Sequence, residues 1–218
     1  MDAERAYLEE LTERLRRVLG ASLNGVYAGG SYALGGYEAG RSDLDVAAVV
    51  RDRLDEGVAA EILAAVGHES LPCPARKLEL VVYTQDAARS PSVEPRFELN
   101  LNTGQGELRV DLAPQADEGH WFAIDRSVLA QRGIGLFGPP AREVFASPTR
   151  EDLLPVLAQS VRWYRENEPQ SEDALLNAGR ALRFAREGIW APKPAVRSWA
   201  ASAPQDALDQ AIAELEQP

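Results

Sequence analysis

The feature that most constrains this chain is a run of small residues followed, after a turn, by paired acids. Gly29-Gly30-Ser31-Tyr32-Ala33-Leu34-Gly35-Gly36 leads through Arg41-Ser42 into Asp43-Leu44-Asp45 and then the apolar Val46-Ala47-Ala48-Val49-Val50. Asn24–Ala28 before it reads as a short strand and Asp43–Val50 as a second, apolar enough to be buried on both faces. The glycines let the backbone approach a ligand closely, and Ser31 places a hydroxyl where a short helix would begin. With a strand period of two, Asp43 and Asp45 share one face and Leu44 takes the other. Two carboxylates on one face repel unless a cation lies between them, and hard cations such as Mg²⁺ favour such oxygens. No Lys-Ser/Thr follows the glycines, so this is not a Walker loop, and their spacing does not fit a dinucleotide fingerprint. Taken alone, Asp-x-Asp is more often an ordinary solvated strand start; the ordered strand, glycine turn, acids and strand carry the functional reading.

Gly30-Ser31, separated from Asp43-x-Asp45 by Tyr32–Ser42, resembles the signature of the nucleotidyltransferase superfamily that includes DNA polymerase beta. The resemblance implies transfer of a nucleotidyl group from a nucleoside triphosphate with two metal ions.

The remaining chain supplies candidates for the rest of such a site. Lys77–Thr84 reads as a strand with Leu78, Leu80 and Val82 on one face and Glu79 on the other, beside Lys77 and Val81. A carboxylate within an apolar strand calls for a metal or a reacting proton, or else an edge strand with a wet face. Arg96–Asn102 and Glu107–Ala113 read as a hairpin around Thr103-Gly104-Gln105-Gly106, and Asp111 in its second arm is the alternative third carboxylate. Helices are expected over 3–19, 53–66 and 117–132, with an extended segment at 135–140. Beyond Ser147-Pro148, where Thr149 and Asp152 form a capping box, the pattern is helical to the end. The expected architecture is α+β: a mixed sheet with helices over 1–148 and a helical bundle over 149–218.

Composition narrows the partners. The formal net charge is −11, the wrong sign for a duplex or RNA binder and the right one for attracting a cationic small molecule. No apolar run reaches membrane-span length, and the charged N-terminus does not read as a signal peptide. Cys73 stands alone, which excludes internal disulfides and fits a cytoplasmic setting.

The C-terminal half is similar to a narrower group, the aminoglycoside (3'')(9) adenylyltransferases, in Gly138-Pro139-Pro140-Ala141, Phe145, Glu151-Asp152-Leu153-Leu154, Arg180, Gly188, Ala191-Pro192-Lys193 and Trp199-Ala200. That resemblance implies a polymerase-beta-like palm followed by a helical domain, ATP as co-substrate and two Mg²⁺ ions. Carried onto this chain, Ser31 and Ser42, beside Gly30, would hold triphosphate oxygens, and Asp43 and Asp45 would bind metal. Glu79 would be the third ligand and catalytic base, and Lys193 would reach the triphosphate, with Arg41 adjacent. Glu98, Asp125, Glu172 and Asp173 are candidates for the substrate's ammonium or guanidinium groups. Three departures stand out. The family's tryptophan after the fourth strand falls near Thr103-Gly104, its streptomycin-associated tryptophan has no counterpart in Asn167–Ser171, and a terminal helix is missing after Leu215. Spectinomycin is therefore expected ahead of streptomycin. The rival readings are transfer to another small molecule or protein, or an antitoxin-like interaction module.

Overall fold

The structure is a computed structural model that describes residues 2–55, 57–113 and 119–217. It begins with α1 (Asp2–Leu19), whose Leu8, Leu11 and Leu15 form a buried stripe, followed by β1 (Leu23–Ala28). A one-turn helix, α2 (Gly30–Ala33), then precedes β2 (Leu44–Val50). Next come α3 (Val58–Val66), β3 (Lys77–Thr84) and the short α4 (Gln85–Arg89). The hairpin is β4 (Leu99–Gly104) and β5 (Glu107–Asp111), and α5 (Gly119–Arg132), β6 (Ile134–Phe137) and α6 (Ala141–Val144) complete this part. The C-terminal part contains α7 (Arg150–Asn167), α8 (Glu172–Glu187), a 3₁₀ turn at Lys193–Val196, α9 (Arg197–Ala201) and α10 (Ala207–Leu215).

Among the described residues, six strands form one sheet in the order β5-β4-β3-β2-β1-β6. Only β2 and β3 run parallel, joined by a crossover through α3; the other neighbours are antiparallel. This is the expected mixed sheet. One face carries Leu44, Val46, Ala48, Leu78, Leu80 and Val82 against α1 and α3. The other carries Ala47, Val49, Tyr27 and Tyr83 against Phe122 and Leu129 of α5 and the α6 residues Ala141 and Val144. Helix α5 also turns Ala123, Ile124 and Val128 into a second core with α7, α8 and α10. It therefore ties sheet to bundle, although it precedes the expected junction at 148/149. Gly179 brings α8 close to α9, since a Cβ there would lie 2.7 Å from the Trp199 ring.

Several boundaries differ from expectation for local reasons. The helix expected from 53 starts at Val58 because its cap, Gly57, is left-handed at φ +93°. The hairpin turn is tighter than expected: β4 runs on through Thr103 and Gly104, leaving Gln105-Gly106 with Gly106 at φ +76°. The 135–140 segment contains an edge strand, β6, paired with β1. Residues 117 and 118, the expected start of α5, lie outside the described residues, as do Glu56 and Pro218. Thr149 caps α7 as its spacing predicts, its hydroxyl accepting from the Asp152 N–H at 3.1 Å.

Candidate active site

The site is built where the parallel strands begin. Asp45 and Glu79 are direct partners in the β2–β3 register, and both point to the face covered by α5. β3 lies inside the sheet, so the edge-strand alternative for Glu79 does not hold. The glycine turn closes over the pair. The Gly29 N–H donates to the Asp45 carbonyl at 2.8 Å, and Gly30 adopts φ +48° directly against the Asp45 side chain. A Cβ on Gly30 would meet Asp45 Oδ2 at 1.7 Å, so both backbone conformation and space demand glycine here.

Asp125 approaches from α5. Burial raises its pKa to about 7, with the Glu79 charge adding to the effect and the Arg180 and Arg126 charges opposing it. Burial likewise holds the Asp45 carboxyl well above the usual carboxylate range, reinforced by the charges of Glu79, Asp125 and Asp43. The half-buried Arg180 guanidinium of α8 feels both Asp125 and Asp45; it donates to the Ala191 carbonyl at 2.9 Å and lies 5.8 Å from the Trp190 ring centre. The result is a half-buried cluster of carboxyl groups fed by two strands and a helix, with cations around its rim.

Asp43 accepts two hydrogen bonds from Arg76, from Nε at 2.8 Å and from a terminal nitrogen at 2.6 Å. Lys77 Nζ lies 2.9 Å from Glu79 and 3.0 Å from Glu107. Burial lowers the Lys77 pKa, but the charges of and hydrogen bonds to these glutamates raise it more, so the ammonium is retained. Three carboxylates on neighbouring backbone positions suit a hard cation. Among the described residues, however, no three ligating side chains already stand as a metal cage. The reason is local: Asp43 is turned toward Arg76 and Glu79 toward Lys77. Arg76 and Lys77 were not among the expected site residues, although Lys77 shares Glu79's strand face two residues away.

The residues expected at the triphosphate gather nearby, at the seam between sheet and bundle. The Ser42 hydroxyl accepts from the Glu38 N–H at 3.0 Å, which shapes the turn before Asp43, and Ser31 lies in α2. Arg41 donates to Glu172 at 2.8 Å, Lys193 to Asp173 at 2.6 Å, and Arg197 to Glu38 at 3.0 Å. Gly36 allows the Lys193 segment to come close, because a Cβ there would sit 2.7 Å from Pro192 and 3.3 Å from Pro194. Half-exposed pairs of this kind are screened by solvent, so they orient the seam more than they stabilise it.

The four acids proposed for a cationic substrate separate here. Asp125 joins the carboxylate group. Glu172 and Asp173 face the cleft, but each already holds a cation expected at the triphosphate. Glu98 belongs elsewhere: it accepts from the Leu54 N–H at 3.1 Å and faces Arg53 at 3.6 Å, beyond the far end of β2. The length of that strand puts it roughly 20 Å from Asp43. Asp111 is also set apart. It lies on β5, two strands from β3, where it accepts from Asn100 at 3.0 Å and Arg109 at 2.8 Å.

No family model and no curated protein sequence matches the chain. Among solved structures it superposes on spectinomycin adenyltransferase AAD(9) from Enterococcus faecialis, determined with ATP and spectinomycin, with a TM-score of 0.71. The match covers 98% of this chain and 91% of the other at 18% identity. The chain has a nucleotidyltransferase fold. The likeness spans sheet and bundle together, so the adenyltransferase-like fold includes the C-terminal helices. A chain of the complex between a tri-AMPylated Shewanella oneidensis HEPN toxin and an MNT antitoxin gives a TM-score of only 0.34 at 12% identity, covering 79% of this chain and 98% of the other. Among the described residues of this nucleotidyltransferase fold, no helix is long and apolar enough to cross a membrane.

Proposed function

We propose that this protein transfers AMP from ATP to a hydroxyl of a cationic aminoglycoside or aminocyclitol, with spectinomycin favoured over streptomycin, and releases pyrophosphate. The observation that carries the reading is the pairing of Asp45 with Glu79 in parallel register beneath the Gly29-Gly30 turn. The fold shared with an adenyltransferase solved with ATP and spectinomycin supports the substrate class. The net charge of −11 and the nearby Asp125 favour an acceptor that carries positive charge.

In this reading Gly30, Ser31, Arg41, Ser42 and Lys193 bind and orient the triphosphate. Asp43, Asp45 and Glu79 would hold two Mg²⁺ ions, whose chemistry is to acidify the acceptor hydroxyl and stabilise the departing pyrophosphate. The acceptor oxygen bonds to the α-phosphorus as the bond from that phosphorus to the bridging oxygen breaks. The breaking bond's electron pair leaves with pyrophosphate, and Glu79 takes the hydroxyl proton. Asp125, midway along α5 and close enough to Glu79 to feel its charge, would pair with an ammonium of the acceptor. Lys193 and Arg41 would pass from Asp173 and Glu172 to the phosphates, drawing bundle and sheet together around ATP.

Pyrophosphate release from ATP and Mg²⁺ across a panel of aminoglycosides and spectinomycin tests the proposal. The expected result is acceptor-dependent release, fastest with spectinomycin. Release with streptomycin alone would reverse the order, and release with no member of the panel would refute the acceptor class.

A further inference from the structure

Arg76 and Lys77 stand side by side where β3 begins, and each holds one of the carboxylates flanking Asp45. Arg76 occupies both oxygens of Asp43, at 2.8 and 2.6 Å. The two partners are buried very differently: the Asp43 side chain is 14% exposed and that of Arg76 is 61% exposed. The carboxylate is therefore the fixed member of the pair, and the guanidinium is a long, solvent-facing arm able to leave. Lys77 is tied to Glu79 but has a second anchor, Glu107 on β5, which can keep the ammonium when Glu79 turns away.

We propose that Arg76 and Lys77 are resident counter-cations of the carboxylate group that exchange with an incoming metal–triphosphate complex, Arg76 passing from Asp43 to the phosphates. The proposal rests on the nucleotidyltransferase reading above. Three acids held together would repel, and two resident cations cancel most of that charge, which leaves little attraction for a divalent ion arriving alone. An ion that arrives with a triphosphate is different. It takes the carboxylate oxygens while the phosphates offer the displaced guanidinium a matching bidentate partner. The exchange swaps one set of charge-assisted contacts for another, so the site favours metal together with nucleotide over metal by itself. Neither basic residue belonged to the expected nucleotide site, and the role follows from the contacts alone.

The test is Mn²⁺ binding followed by electron paramagnetic resonance, with and without α,β-methylene-ATP, a non-hydrolysable analogue. Wild-type protein is expected to bind Mn²⁺ weakly alone and much more tightly with the analogue. Arg76→Ala should bind Mn²⁺ alone roughly tenfold to a hundredfold more tightly, the scale of a lost charge-assisted contact, and the analogue more weakly by a similar factor. Arg76→Lys, which keeps the charge but not the bidentate fork, should fall between and guards against a folding defect in the alanine variant. Circular dichroism checks that each variant is folded. If wild type binds Mn²⁺ with the analogue but neither Arg76 variant alters its affinity for Mn²⁺ alone, this proposal is overturned while the nucleotidyltransferase reading stands. If wild type binds Mn²⁺ under neither condition, both fail.

Discussion

Gly30→Ala is the substitution whose cost the structure lets one work out. The backbone at Gly30 sits at φ +48°, a left-handed conformation that costs an L-residue about 1 kcal/mol. The new Cβ would also lie 1.7 Å from Asp45 Oδ2 and 2.4 Å from its Cγ, so Asp45 must move out of a packed position. Forcing a packed group aside typically costs about 1–3 kcal/mol. The total is about 2–4 kcal/mol, a fall in Tm of roughly 5–15 °C for a chain of this size. Gly35→Ala is the control: it has φ +74° but open space, so it should cost only the backbone part, about 1 kcal/mol. Urea denaturation followed by tryptophan fluorescence measures both. Repeating Gly30→Ala in an Asp45→Ala background removes the two closest contacts and leaves only the Asp45 Cβ at 3.0 Å. The cost should then drop nearly to that of the control, a coupling of about 1–3 kcal/mol. If Gly30→Ala proves no worse than Gly35→Ala, or costs the same with and without the Asp45 carboxylate, the claimed contact between turn and acid is wrong.

Glu79→Gln should reduce turnover by roughly 10²-fold or more in the pyrophosphate assay while Asp111→Asn stays mild, and the opposite pattern would move the base to Asp111. Lys193→Ala should weaken binding of the ATP analogue by about tenfold in calorimetry; unchanged affinity would leave Lys193 only its contact with Asp173. For Asp125, whose pKa rises from an ordinary 3.8 to about 7, the folded state holds the proton more tightly than the unfolded chain. Its stabilising contribution is therefore full below about pH 4 and is lost as pH rises to about 7, with a ceiling of about 4 kcal/mol. Melting in EDTA between pH 5 and 8 should show stability falling with pH, and Asp125→Asn should flatten part of that slope, Asp45 supplying the rest in the same direction; an unchanged slope would exclude Asp125 as a source.

Much of this architecture was legible because it depends on short-range rules. The period of two put Asp45 opposite Leu44 and Glu79 opposite Leu78 and Leu80, and the structure keeps both phases, while Asp43 lies one residue before β2. The glycine turn and the Thr149 cap are likewise local chemistry, and both occur where the residues indicate. What a strand's phase cannot reveal is which strand lies beside it. The parallel register of Asp45 with Glu79, two strands joined through α3, is set by packing of both sheet faces. The same holds for the acids. Glu98, Asp125, Glu172 and Asp173 look alike in sequence, yet one lies beyond the far end of β2, one over Glu79, and two against Arg41 and Lys193. Arg76 gave no sign in sequence of its hold on Asp43, because a salt bridge between residues 33 positions apart exists only once β2 and β3 are paired. The chain's own residues determined the elements and the faces on which their chemistry sits. Tertiary packing decided which charges meet, because an acid's partner, burial and proton affinity depend on neighbours brought from elsewhere in the chain.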